Sequence, residues 1–173
     1  MSLRAWNVVV LAAALGVWLA SGTQREKPVL TQAKADTVRV LENEVAAHPT
    51  DAKQVLALGQ AYLDAQSPGL AVAMIEGSPS DVRGDARVDH LYARALVAQG
   101  RNADALAAEK RVLAKCVTES CDAFLIASAA RRADILQELV NLGVEDAQAQ
   151  PEASRIAYYN ATRQVVATQT VLQ

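Results

Sequence analysis

The sequence contains few aromatic residues, cysteines, histidines and prolines, and each shortage narrows its interpretation. Aromatic residues make up 4% of the 173 residues, so the 51% that are hydrophobic consist mostly of Ala, Val and Leu. Ala and Leu enter helices at little entropic cost, which favours an all-α fold. The five Pro and eight Gly fall mostly between apolar periodic segments, where such residues end helices.

The charges are balanced, with 17 Lys and Arg against 19 Asp and Glu and a net charge of −2. A nucleic-acid-binding protein would carry a basic domain or stripe, so we expect no nucleic-acid partner. The spacing of the residues supports no Gly-rich phosphate loop, no metal-ligand cluster and no Ser/His/Asp arrangement. We therefore expect a non-enzyme without catalytic residues, metal, cofactor or small-molecule substrate.

The first 22 residues contain an uncharged apolar run over residues 5–21. A helix of that length spans roughly 25 Å, at the short end of what crosses a bilayer. Trp6 and Trp18 lie near its two ends, where interfacial aromatic residues are common. We predict a membrane anchor over residues 1–22, with a cleaved signal peptide as the alternative because residues 20–22 are small.

Both alternatives place the rest of the chain outside the cytoplasm. We expect a single-pass protein of a bacterial inner membrane whose C-terminal domain lies in the periplasm. Signal cleavage would instead give a secreted or soluble periplasmic protein. Residues 23–30 are polar around Pro28 and read as a linker, and residues 31–173 form the helical domain.

Apolar periodicity and helix-ending residues divide the domain into helices separated by short turns. Gly84 is expected to bend the fourth helix, and Pro151 suits the first position of the last one. The predicted helices cover residues 31–47, 51–65, 67–75, 81–99, 102–115, 122–130, 134–142 and 151–169.

Two segments align at a spacing of 34 residues. The first set is Leu58, Gly59, Tyr62 and Ala71, and the second is Tyr92, Ala93, Leu96 and Ala105. The small residues of each set allow the two helices of a unit to cross closely. A spacing of this size is typical of stacked helical repeats.

This pattern resembles the tetratricopeptide repeat (TPR) family, which pairs a Leu-Gly/Ala step with an aromatic residue, a turn Gly and an Ala in the partner helix. Gly100 matches the turn Gly, whereas Gln66 stands at the equivalent point of the first unit. The resemblance covers residues 50–116. Residues 120–143 depart from it, because Leu139 replaces the small residue of the partner helix. The family implies an α-solenoid, with the last helix as its C-terminal cap.

In TPR proteins the first helix of each unit lines a concave groove. A groove with mixed apolar and basic residues suits an extended peptide, or a helix that carries a carboxylate. The alternative is that Arg94 and Arg131 are ordinary solvated charges. Carried onto this sequence, the resemblance implies a groove lined by Leu56, Gln60, His90, Arg94, Phe124 and Arg131.

The only cysteines, Cys116 and Cys121, flank a predicted turn between two helices. A disulfide across that turn is sterically possible and would join the helices in an oxidising compartment. Free buried thiols are the alternative, and a thiol-disulfide enzyme is a remote one, because no Cys-x-x-Cys motif is present.

The sequence therefore predicts a membrane-tethered scaffold that binds partner proteins, as part of a membrane-associated complex. The alternative is a permanent accessory subunit that packs through its N-terminal helix. Asn7, residues 12–14 and Gly16 suit such packing between transmembrane helices.

Overall fold

The computed structural model describes residues 32–147 and 149–171, and this part of the chain is all-helical, as predicted. The predicted anchor and linker, residues 1–30, lie outside the described residues. No helix within the described ranges is long and apolar enough to cross a membrane. The helices are α1 Gln32–Ala47, α2 Ala52–Asp64, α3 Pro68–Gly77, α4 Ser80–Arg83, α5 Ala86–Ala98, α6 Asn102–Thr118, α7 Ala123–Asn141 and α8 Pro151–Val171.

Three helices begin at an aspartate that caps them. Asp51, Asp85 and Asp122 precede α2, α5 and α7, and each has extended backbone torsions. Each carboxylate accepts a hydrogen bond of 2.8 Å from the backbone N–H two residues further on. These bonds satisfy N–H groups that have no partner within the helix, so the starts of these helices are determined locally.

The single helix predicted over residues 81–99 is wrong. The chain forms the short helix α4, keeps helical torsions at Gly84, leaves helical geometry at Asp85 and begins again as α5. The reason is the cap at Asp85, because a residue with ψ of 127° cannot continue a helix. The predicted bend at Gly84 is therefore a break.

The pair of helices predicted over residues 122–142 is also wrong. Residues 123–141 form one continuous helix, α7. The junction at Arg131–Arg132 contains no Gly or Pro, and Arg is a good helix former, so nothing local ends the helix there. The partner of α7 is accordingly α8, which packs against it.

Helices α2, α5 and α7 end in the same kind of turn. Gln66, Gly100 and Gly143 have positive φ angles of 54°, 76° and 66°. In each turn the next residue donates its N–H to a carbonyl five residues back, the Schellman pattern. A short turn of this kind reverses the chain, so α3 and α6 return antiparallel to the helices before them, whereas a longer connection over residues 142–150 leads to α8.

Small residues let neighbouring helices approach closely. Ala71, Ala93 and Ala105 have no exposed surface. A Cβ atom added to Gly59 would lie 2.5 Å from Leu91 Cδ2, closer than such atoms can approach. The small residues of the 34-residue pattern are therefore packing positions, as predicted, and they bring α2, α3, α5 and α6 into one core.

Candidate functional site

The six residues predicted to line a groove lie along two adjoining cavities. Five of them line a cavity of about 880 Å³ between α2, α5 and α7. Arg131 does not line that cavity but lines a second one, of about 430 Å³. Phe124 and Ser128 line both cavities, so the two are continuous. We call these two cavities together the groove.

Arg94 is held in the groove by a neighbouring helix. Its Nη1 donates to Gln60 Oε1 at 2.8 Å, and Gln60 Nε2 donates to Asp64 Oδ1 at 2.7 Å. Within the described part of the chain, no carboxylate forms a salt bridge with Arg94. The guanidinium group is thus oriented by an amide, and its charge is not neutralised by a direct ion pair.

Beneath the groove, Glu109 of α6 is completely buried and joins three helices. Its Oε2 lies 2.8 Å from His90 Nδ1 of α5, and its Oε1 lies 3.1 Å from Arg132 Nε of α7. The second contact is an ion pair without hydrogen-bond geometry. Burial lowers the pKa of Arg132, Glu109 raises it and the nearby charge of Arg94 lowers it. Glu109 therefore compensates the charge of a partly buried arginine, which would be costly to leave unpaired.

Ser128 extends this network, and sequence reasoning missed it. Its Oγ lies 3.1 Å from His90 Nε2, on the opposite side of the ring from Glu109. The order Ser128–His90–Glu109 is the connectivity of a nucleophile, a base and an orienting acid. The three residues come from three helices, so no spacing in the sequence could have indicated it.

The backbone N–H groups beside Ser128 are bonded within α7. Ser128 lies beyond the first four residues of α7, where backbone N–H groups are bonded to carbonyls one turn back. The α7 backbone beside Ser128 therefore offers no pair of free N–H donors, the usual stabiliser of an oxyanion. Glu109 is also shared with Arg132. We interpret the three residues as a polar bridge that fixes α5 and α7 on α6.

One end of the groove is acidic. Asp81, Asp85, Glu119 and Asp122 line the large cavity where α5 and α7 begin, and Arg87 lines it beside them, paired with Asp85. Asp85 and Asp122 cap those helices, and a hydrogen bond from Arg87 holds the pKa of Asp85 below its usual range. Within the described residues, Asp81 and Glu119 form no salt bridge, so this end of the groove keeps negative charge.

The predicted disulfide is present in the wall of the groove. Cys116, near the end of α6, and Cys121, just before α7, are bonded with an S–S distance of 2.03 Å. Cys121 lines the large cavity, and both cysteines pack against buried Ala86, Val112 and Ala129. The bond limits how far the segment before α7, which leads to Phe124, can move.

Within the described residues, no three His, Cys, Asp or Glu side chains come together as a metal site. No protein-family model, curated protein or solved structure matches this chain. The functional interpretation therefore depends on the groove and on the residue pattern of the sequence.

Proposed function

We propose that this chain is a membrane-tethered scaffold, built from TPR-like helical hairpins, that binds a segment of a partner protein in the groove. The observation that carries the proposal is the position of Phe124. Its side chain is 81% exposed, although it lines both cavities of the groove. An exposed aromatic ring beside a cavity is the kind of residue that dominates the affinity of protein interfaces.

The arrangement of the helices supports the repeat interpretation. Helices α2 and α5 begin 34 residues apart, and so do their turn residues, Gln66 and Gly100. The third hairpin, α7–α8, is longer and departs from this spacing. In a stack of hairpins the first helices form one continuous surface, which is the surface on which we place the partner.

The tether is proposed from residues 1–22 alone. An apolar N-terminal segment would hold the helical domain at the membrane surface, with the domain on the exported, periplasmic side. Tethering raises the effective concentration of the domain for partners in the same membrane, so even a modest groove affinity would assemble a complex. Protein partners in a membrane-associated complex are therefore proposed, and catalysis is not part of the proposal.

Co-purification from detergent-solubilised native membranes tests this function. The baits are the full-length chain, a version that begins at Thr23, and the full-length Phe124→Ala variant. Tyr159→Ala is the matched control, because Tyr159 is an exposed aromatic residue of α8 outside the groove. We expect Phe124→Ala to reduce partner recovery about tenfold or more, as for an interface anchor, and Tyr159→Ala to leave it unchanged.

The truncated version separates the scaffold from a permanent subunit. Partners retained by the version that begins at Thr23, and lost with Phe124→Ala, support binding in the groove. If partners require residues 1–22 and their recovery does not change with Phe124→Ala, the scaffold proposal is wrong. The chain would then be an accessory subunit that packs through its N-terminal helix.

A further inference from the structure

Charges of opposite sign lie at the two ends of the groove. Asp81 and Glu119 line the end where α5 and α7 begin. Arg94 lies farther along α5, and Arg131 farther along α7. Within the described part of the chain, none of these four side chains forms a salt bridge. Both ends therefore retain charge that a bound segment could neutralise.

Helices α5 and α7, which line the groove, run in the same direction. His90 of α5 is bonded to Ser128 of α7, and the charge of Arg94, one turn after His90, acts on Arg132, one turn after Ser128. The N-terminal ends of α5 and α7 therefore lie side by side.

The acidic end also contains Arg87, but its charge is paired with that of Asp85. Asp81 and Glu119 have no such partner among the described residues. The net charge of this end is therefore negative and that of the end with Arg94 is positive.

The distance between the two ends sets the length of the occupant. Asp85, at the start of α5, and Arg94 both line the large cavity. Nine residues of helix cover roughly 14 Å at about 1.5 Å per residue. An extended chain covers the same distance with about four residues, at about 3.3 Å each.

The cavity volume favours an extended segment over a helix. A helix about 10 Å across and 14 Å long would occupy roughly 1,100 Å³. An extended segment of that length, about 4.8 Å by 10 Å in cross-section, would occupy roughly 670 Å³. The cavity, of about 880 Å³, is open to solvent and would enclose the extended segment, whereas part of a helix would lie outside it. Leu56, Phe124 and Leu125 line it and offer apolar contact to a side chain in the middle of the segment.

We propose that the groove binds an extended peptide segment in which a basic and an acidic residue lie about four positions apart, with an apolar residue between them. This inference rests on the proposed function, since it names the kind of segment that the groove takes. The basic residue lies by Asp81 and Glu119, and the acidic residue lies by Arg94. A segment bound in the reverse direction would place its acidic residue by Asp81 and Glu119 and its basic residue by Arg94, where like charges repel. The groove therefore selects the direction in which the segment binds.

Selection from a random dodecapeptide phage library on the full-length protein in detergent tests this inference. Parallel selections use Arg94→Glu and, as the matched control, Arg39→Glu, which replaces an exposed arginine of α1 outside the groove. We expect wild type and Arg39→Glu to enrich the same opposite-charge pair at the stated spacing. Arg94→Glu should instead enrich peptides with a basic residue where the acidic one stood. A synthetic wild-type peptide should lose about tenfold or more in affinity for Arg94→Glu.

Each outcome bears on the proposal. Enriched peptides that follow the charge change at Arg94 support it. Peptides that lose affinity with Phe124→Ala but show no ordered charge pair would overturn the polarity and leave the groove as the binding site. No enrichment, or enrichment insensitive to both Phe124→Ala and Arg94→Glu, would overturn the polarity and the proposed function together.

Discussion

Gln60 and Arg94 are separated by 34 residues and are joined by a hydrogen bond of 2.8 Å from Arg94 Nη1 to Gln60 Oε1. They occupy the same position in two successive hairpins, since α2 and α5 also begin 34 residues apart. The same spacing relates the turn residues Gln66 and Gly100, both with positive φ. Both turns thus require a positive φ angle at the same position of the hairpin. Gly100 adopts this angle without strain, whereas Gln66 does not.

Replacing Gln66 by Gly should stabilise the protein by about 1 kcal/mol. A side chain at a φ of 54° is strained, and Gly relieves that strain at some cost in unfolded-state entropy. Urea unfolding followed by circular dichroism measures the change. The control is Ala57→Gly, at an exposed position in the interior of α2, which should destabilise by about 1 kcal/mol. Equal destabilisation by both variants would contradict the assigned turn.

Reducing the Cys116–Cys121 bond should lower the free energy of unfolding by about 2 kcal/mol. The bond closes a loop with a sequence separation of only 5, and short loops restrict the unfolded chain less than long ones. Helical content should persist, because the caps and the core do not depend on the bond. Urea unfolding with and without reductant measures the effect.

The double variant Cys116→Ala/Cys121→Ala is the control for reduction. Its unfolding midpoint should not respond to reductant and should lie near that of the reduced wild type. A wild-type midpoint unchanged by reductant would show that the bond does not contribute to stability.

Removing the buried carboxylate by Glu109→Ala should destabilise the protein by about 3–5 kcal/mol. The substitution leaves Arg132 partly buried without its anion and removes the partner of His90 Nδ1. The double variant Glu109→Leu/Arg132→Met should recover most of the loss, because neither charge then remains buried.

The control for Glu109 is Asp104→Ala, which removes an exposed carboxylate of the same helix that pairs with Arg101. It should change stability by no more than about 1 kcal/mol, as surface ion pairs do. Thermal unfolding of all three variants compares these effects. If the Glu109→Ala variant is as stable as Asp104→Ala, Glu109 does not stabilise the packing of the three helices.

The free energy of unfolding should fall at alkaline pH because the phenol of Tyr62 loses its proton there. Burial, together with the hydrogen bond of 2.7 Å to Glu42, raises the pKa of Tyr62 to about 12 from 10.0. The folded state then holds the phenolic proton more tightly than the unfolded chain, so this stabilisation is complete below pH 10 and is lost as pH rises to 12. The slope is at most about 1.4 kcal/mol per pH unit.

Urea unfolding across this pH range, with Tyr62→Phe as the control, isolates the effect from the other tyrosines. The variant lacks the titrating group, so the difference in stability between it and wild type should narrow as pH rises. A difference independent of pH would mean that Tyr62 titrates equally in both states.

Ser128 should be chemically unreactive. Incubation of the full-length protein with a fluorophosphonate probe, followed by intact mass spectrometry, should give no adduct on wild type or on Ser128→Ala. The physical reason is the lack of backbone donors for an oxyanion around a residue in a helix interior. An adduct on wild type that Ser128→Ala abolishes would establish an activated nucleophile and contradict the polar bridge.

Local chemistry made much of the fold predictable. Pro68 and Pro151 mark helix starts, and Gly100 marks a turn, since the backbone torsions of these residues depend little on distant contacts. Where a local signal was misjudged, the prediction failed. The cap at Asp85 broke a helix that was predicted to be continuous, and the absence of any breaker near Arg131 kept α7 whole.

The sequence by itself determined the all-α class and the 34-residue spacing, because periodicity and spacing are local properties of the chain. The groove residues were predicted from the family resemblance, and the disulfide was one of the alternatives that the cysteine spacing allowed. Only the tertiary structure decided that Glu109, His90 and Ser128 meet, and that Gln66 takes a positive φ. Side chains on three helices are brought together by the packing angles of those helices. No separation along the chain encodes such an angle.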